Sequence, residues 1–477
     1  MTTTLDMQVS PLDRRGTTPT PPAFVQLAYK PRRRWVPSRF NARTVGDDGR
    51  LLLWNTFTGA VHSFGPRSRD AVLKCLDAAG VQEPLGKAGD YLREKGYLVS
   101  EDVNEMNQFR VFFGREQWRT DTLQLILLAS EDCNFRCVYC YEKFKNGTML
   151  PEVRQGVMKL IEQRAPRLQS LRLTWFGGEP LYGWDAVSEL SPFAKRIAEQ
   201  HGLRQEQDMT TNGYLLTEER ATKLLDWGCS RFQITVDGLA EDHNCARIGR
   251  DGSPTHGMIM ENLRSLQARK DNFAVAVRVN FDQRNFSRIG AFIESVSEDF
   301  GGDPRFRLRF HAVGRWGGDN DENLETCGKV EVRDLLDSAR RKAREVGVSV
   351  RGGIREVARP GSQVCYAARP FNFIVGATGK LMKCTIALDE LDANVVGQLH
   401  PDGTLQLDES RFSQWVAPHF ETDSLCQSCY ILPGCQGAAC PLPRVQEGQR
   451  SCCATKSELK REMRFTLDEL NRALVPA

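Results

Sequence analysis

The chain has 477 residues, 40% hydrophobic and 26% charged, and its 64 basic and 61 acidic side chains leave a formal net charge of +3. That composition excludes a disordered or fibrous protein, and the charge leaves no cationic excess for counterion-driven binding of nucleic acid. The length argues for several domains instead of one core.

In chain order, residues 1–23 are rich in Thr, Pro and charge and read as a disordered tail. Within residues 24–115, LLLWN and TGAVHSF are strand-like runs, and SRDAVLKCLDAA and KAGDYLREKGYLVS read as two short helices ending in a strand. Across 116–350 a regular alternation sets in. Apolar strands are predicted at 123–128, 171–176, near 208–210, and at 231–236, 273–280 and 306–313, each followed by an amphipathic helical segment. Strand-helix units in series imply an α/β fold with a parallel sheet and right-handed crossovers, a TIM-like partial (β/α)6 barrel. Across 351–477 the rhythm stops, and the chain is rich in turns and cysteine until a last helix in SELKREMRFTLDELNRAL. No apolar run approaches a membrane span and no signal peptide opens the chain, so the expected location is the cytoplasm, with no membrane and no nucleic-acid partner.

Fifteen cysteines are an abnormal count. In a reducing cytosol a disulfide framework is disfavoured, and metal is the next explanation. Cys75, Cys229, Cys245 and Cys327 stand alone and read as small hydrophobes or surface thiols; the rest cluster.

In barrels of parallel strands the chemistry gathers in the loops after the strands' carboxyl ends. After the first strand comes Cys133-Asn-Phe-Arg-Cys137-Val-Tyr-Cys140, spaced C-x3-C-x2-C. Three thiolates in one loop can bind three irons of a cubane and leave the fourth iron open, whereas structural zinc would want a fourth protein ligand close by. After the second strand, Gly177 and Gly178 allow close backbone approach, and the Glu179 carboxylate that follows can accept from an ammonium group. The remaining strands end in Thr210-Thr211-Asn212-Gly213, Asp237-Gly238, Arg278-Val279-Asn280 and His311-Ala312-Val313-Gly314. His243 is tempting as a residue near substrate, although a loop histidine is more often solvated or bonded to backbone; for Asp237 a turn-forming role is the safer reading than a base.

The cysteine loop and the Gly-Gly-Glu-Pro segment resemble those of the radical S-adenosylmethionine (SAM) enzymes. By that resemblance Cys133, Cys137 and Cys140 hold a [4Fe-4S] cluster whose open iron is chelated by SAM. Gly177, Gly178 and Glu179 would bind the methionyl ammonium, Tyr139 would lie near adenine, and Asn212, Arg278 and Val313 would line the ribose, carboxylate and adenine region.

The second cysteine set is similar to the SPASM extension, which binds two auxiliary [4Fe-4S] clusters. Carried over by position, Cys365, Cys384 and Cys440 would hold the first, and Cys426, Cys429, Cys435 and Cys452 the second. The Cys435 to Cys440 gap is one residue longer than that pattern, Cys453 competes with Cys452, and the first cluster has no clear fourth protein ligand.

Residues about 40–111 resemble the winged-helix-like peptide-recognition domain of peptide-modifying enzymes, where a precursor's leader adds as another strand at a sheet edge. Together these resemblances imply a maturase that crosslinks a ribosomally synthesised precursor peptide through a thioether or carbon-based bond. Its electron donor would be a flavodoxin or ferredoxin. The alternatives are an anaerobic sulfatase maturase, a peptide epimerase and, outside enzymes, a zinc-binding peptide scaffold.

Overall fold

The computed structural model describes residues 34–78, 80–82, 85–350, 359–388, 391–452 and 456–472. The tail expected at 1–23 and Cys453 lie outside the described residues. The chain forms two compact units that do not follow chain order: Met1–Gln117, Gly352–Ala368 and Ala417–Ala477 make one, and Trp118–Arg351 with Arg369–Val416 the other.

In the first unit, strands Asn41–Val45, Leu51–Asn55 and Val61–Phe64 form an antiparallel sheet. Strand alternation sends successive side chains to opposite faces. Leu51, Leu53 and Phe64 therefore pack with Val72 of helix Pro66–Asp77 and Leu92 of helix Gly86–Glu94. Leu52 and Trp54 face the other way, where Leu459, Met463 and Leu467 of helix Lys456–Arg472 cover them. The strands and helices expected from 40–111 are thus present, with a further strand, Arg34–Pro37, set between Val81–Gln82 and Leu98–Ser100.

The second unit holds the barrel. Its strands are β1 (Thr122–Ser130), β2 (Ser170–Gly177), β3 (Arg204–Thr211), β4 (Cys229–Thr235), β5 (Ala274–Phe281) and β6 (Phe306–Ala312). The helices between and after them are α1 (Pro151–Arg164), α2 (Trp184–His201), α3 (Glu218–Asp226), α4 (His256–Gln267), α5 (Ile289–Phe300) and α6 (Lys329–Glu345). All five strand pairings are parallel and sequential, as the alternation predicts. Local chemistry sets the helix ends. Pro151 opens α1, the Thr217 side chain accepts from Arg220 N to cap α3, and Gly202, at φ 64°, closes α2 in the left-handed region.

One difference from the expected domains is that 369–416 joins the barrel unit instead of a cysteine-rich domain running through 351–477. The reason is backbone pairing: Asn372–Val375 lies parallel to β1, Asn372 opposite Gln124. The sheet then continues antiparallel through Lys380–Met382, Val395–Leu399 and Leu405–Leu407. Among the described residues no helix is long and apolar enough to cross a membrane.

Candidate active site

The loop after β1 carries Cys133, Cys137 and Cys140 and is fixed from several sides. Its short strand Phe135–Cys137 pairs antiparallel with Arg247–Gly249, which puts Arg247 opposite Cys137. Arg136 Nη1 donates to the carbonyls of Cys133 and Phe135, both at 2.7 Å, and its guanidinium lies 4.1 Å from the ring centre of Phe144. The Asp132 carboxylate accepts from Cys133 N at 2.8 Å. Burial pushes all three thiols up, Cys140 to about 12, so a bound iron would have to displace their protons.

The Gly-Gly-Glu segment ends β2 against this loop. A Cβ on Gly178 would stand 2.5 Å from Asp132 O, and one on Gly177, whose φ is +113°, only 2.3 Å from Ser130 O. Close approach is therefore required by the chain's own backbone, with Gly178 N donating to Ser130 O and Glu179 N to Asp132 O. Glu179 is fully buried. It accepts from Leu181 N (2.9 Å), Thr211 Oγ1 (2.7 Å) and Asn212 N (2.7 Å), stapling β2 to the end of β3. A carboxylate offers about four acceptor sites, so about one is left for an ammonium. Asn212 Nδ2 donates to Asn134 Oδ1 at 2.7 Å and stands 3.8 Å from Cys133 Sγ.

Tyr139 anchors the other side. Its hydroxyl donates to Asp237 and accepts from Arg247 Nη1 (2.8 Å) and Asn280 Nδ2 (3.0 Å). Arg278 Nε donates to Asn280 Oδ1 at 2.8 Å, and Val313 N to Phe281 O. A cavity of about 330 Å³ is lined by Tyr139, Asp237, Asn280 and Val313 at the strand ends and by Asp242 and Arg288 further out. The residues expected around the cofactor lie at the carboxyl ends of β1, β2, β3, β5 and β6.

Three residues that the sequence left ambiguous or unread acquire definite surroundings. His243 is fully buried, accepts from Asp237 N at 3.2 Å through Nδ1 and places Nε2 3.1 Å from Thr255 Oγ1. Burial, with Arg247 and His256 nearby, pushes its pKa down to about 2, so it is a neutral backbone brace. Asp237 does more than turn the chain, since Oδ1 accepts from Asn280 N at 2.8 Å. Arg247 was missed; the signal was its place at the end of Asp237-Gly-x4-His243-x3-Arg247. It is buried beside Cys137, and its Nε has no hydrogen-bond partner among the described residues.

In the first unit, Asp423 caps the turn bearing Cys426 by accepting from Leu425 N and Cys426 N. Arg450 bridges Asp423, at 2.9 Å, and Cys452. Burial, then Asp423 and Cys435, push the Cys426 thiol up to about 12. Cys429 N donates to Cys426 O and Cys365 N to Ala438 O, which sets Cys365 beside the segment that carries Cys435 and Cys440. Cys384 belongs to the second unit, where its amide and that of Lys383 both donate to Asn394 Oδ1. Among the described residues no three His, Cys, Asp or Glu side chains are grouped closely enough to hold one metal ion.

Residues 127–296 match the profile of the Radical SAM superfamily. GTP 3',8-cyclase 1 of Pseudomonas aeruginosa is 30% identical over 302 residues, 59% of this chain and 85% of that protein. The chain belongs to the radical SAM superfamily. It is also 27% identical over 184 residues to a cysteine-type anaerobic sulfatase-maturating enzyme of Clostridium novyi, 37% of this chain and 48% of that one. A solved structure of native anSMEcpe with bound AdoMet and Cp18Cys peptide shares the fold, at TM-score 0.57 and 19% identity over 74% of this chain and 98% of that one. The chain spans about half the length of the curated relatives it first matches, 40%, 47% and 51%. Radical SAM membership implies one [4Fe-4S] cluster and SAM. The loop fits them: it offers three thiols and no fourth protein ligand within it, and the orphaned Arg247 Nε is a buried donor suited to an anionic group beside Cys137.

Proposed function

We propose that this radical SAM protein matures a ribosomally synthesised peptide by an intramolecular thioether or carbon-based crosslink. The observation that carries the reading is the union, in one chain, of the three-cysteine barrel site with a separate small sheet suited to holding an extended peptide. Among the described residues the strand Val61–Phe64 pairs only with Leu51–Asn55, and a leader strand is assigned to its other edge in this reading. When bound, the cluster and SAM supply a 5'-deoxyadenosyl radical for hydrogen abstraction.

In this reading the protein's own residues bind and orient. Cys133, Cys137 and Cys140 ligate. Gly177, Gly178 and Glu179 hold the methionyl ammonium, and Tyr139, Asn212, Arg278 and Val313 line the nucleoside side, with Arg247 added as partner for the methionyl carboxylate. Carried over by the SPASM resemblance, Cys365 and Cys440, and Cys426, Cys429, Cys435 and Cys452, would ligate auxiliary clusters; a flavodoxin or ferredoxin supplies electrons. A formylglycine maturase is the second reading, favoured by the likeness to the Clostridium novyi protein. It gives the small sheet no task.

The test is the mass of the short peptide encoded beside the gene after anaerobic co-expression, against a Cys140→Ala control. Loss of hydrogen pairs, absent in the control, supports the crosslinking maturase. Unchanged mass with SAM cleavage redirects the reading to epimerisation or a sulfatase substrate; no iron and no SAM cleavage overturns it.

A further inference from the structure

Of the carboxylates that line the cavity beside Tyr139, one keeps acceptor capacity that no described residue uses. Four line it: Asp237 after β4, Glu241 and Asp242 in the short helix Ala240–Ala246, and Asp282 after β5. Asp237 is spent on the Tyr139 hydroxyl and on Asn280 N. Asp282 is spent on Arg284, accepting from its backbone N at 3.0 Å and from Nε at 2.9 Å. Glu241 is largely exposed to water and accepts from Arg288 Nη1 at 3.1 Å.

Asp242 is different. Only 3% of its side-chain surface is exposed, Oδ1 accepts from Arg288 Nη2, and Oδ2 is buried with no hydrogen-bond partner among the described residues. That oxygen faces the Asp237-Gly238 turn: a Cβ on Gly238, whose φ is +115°, would stand 3.3 Å from it. A carboxylate offers about four acceptor sites, and a buried one left unpaired is costly, so the cavity is set for a donor. The lining decides its charge. Four carboxylates face two guanidiniums, Arg284 and Arg288, and Arg288 is shared between Asp242 and Glu241. Crediting Arg247, which lies outside the lining, to Asp237 still leaves one carboxylate in excess. A metal ion does not suit the place, since among the described residues no three His, Cys, Asp or Glu side chains are grouped closely enough to hold one.

We infer that the outer part of this cavity, at Asp242, takes a cationic side chain of the peptide substrate, an arginine or a lysine. The inference rests on the maturase reading above. Such a side chain brings N–H donors for Oδ2 together with the positive charge the lining lacks, and charge-assisted bonds of this kind are the strong ones. SAM is the other source of donors. Its ribose hydroxyls and adenine amine are neutral and leave the excess carboxylate unanswered, and in the same reading its ammonium belongs to Glu179.

The experiment titrates the anaerobically reconstituted, SAM-loaded full chain with N-acetyl-arginine amide, N-acetyl-lysine amide and the neutral N-acetyl-citrulline amide, each followed by ligand-observed NMR. Wild type is expected to favour the better cationic compound over the citrulline compound at least tenfold. Asp242→Asn, which keeps the shape and removes the charge, should reduce that preference to under threefold and change SAM affinity less than twofold. Arg288→Gln removes the competing cation and should raise the preference at least threefold, an increase that loosened packing does not produce. Citrulline bound by wild type as tightly as both cations, an undiminished preference in Asp242→Asn, or a preference in Arg288→Gln that fails to rise overturns the inference. A fall in SAM affinity beyond twofold in Asp242→Asn also overturns it, by assigning Oδ2 to the cofactor's neutral donors. Wild-type chain that takes up no iron and binds no SAM overturns the parent reading instead, and the inference with it.

Discussion

Replacing Glu179 should loosen the junction between the second and third barrel loops by an amount its surroundings set. The carboxylate is fully buried and accepts three hydrogen bonds, from Leu181 N, Thr211 Oγ1 and Asn212 N. Bonds to a charged group contribute about 1.5–3 kcal/mol each, and a buried donor left unpaired costs about 1–3 kcal/mol. Glu179→Ala orphans all three donors and should cost about 3–5 kcal/mol. Glu179→Gln keeps one oxygen but turns an amide NH2 toward one donor and weakens the other two bonds. Part of that loss is offset because a buried charge no longer has to be desolvated, the same burial that raises the Glu179 pKa. The net cost of the glutamine should be about 2 kcal/mol, roughly 30-fold in a local opening equilibrium. With two compact units a global unfolding curve is a poor assay, so amide hydrogen exchange at Leu181 and Asn212 is the measurement. Protection of both amides unchanged within about threefold in Glu179→Ala would refute the assignment of this carboxylate as the junction's staple.

Three further outcomes are expected. His243 has a folded-state pKa of about 2 against 6.5 when unfolded, so only the unfolded chain takes up its proton as pH falls through 6.5. The stability present above that pH is lost on acidification by about 1.4 kcal/mol per unit, about 2 kcal/mol by pH 5, and exchange around Asp237 should show the slope in wild type but not in His243→Gln. Gly178→Ala would drive a Cβ to 2.5 Å from Asp132 O, displacing the cysteine loop, and should lower iron retained per chain after reconstitution. Gly202→Ala, at φ 64° with open space around it, is the control: a backbone cost of about 1 kcal/mol and full iron content. Met463→Ala empties a fully buried site between the last helix and Trp54, and should cost about 2–5 kcal/mol. Lost amide protection in Leu51–Asn55 would report it, and unaltered protection there would contradict that packing.

What the sequence by itself determined is what depends on near neighbours in the chain. The six strand-helix units were legible because the apolar period is local, and the C-x3-C-x2-C loop because its ligands fall within eight residues, 133–140. The same locality let Gly177 and Gly178 mark a close approach, although what approaches them is the chain's own backbone at Ser130 and Asp132. Tertiary structure decided the rest. Tyr139 meets Asp237, Arg247 and Asn280 across separations of 98 to 141 residues, and no periodicity encodes such meetings. Asn372–Val375 falls inside the stretch read as turn-rich from 351 onward and is a strand beside β1. A strand's partner is chosen by which unpaired edge the rest of the fold leaves within reach. For the same reason the side-by-side placement of Arg278 and Arg309 is invisible in either strand alone: it is a property of the register between them.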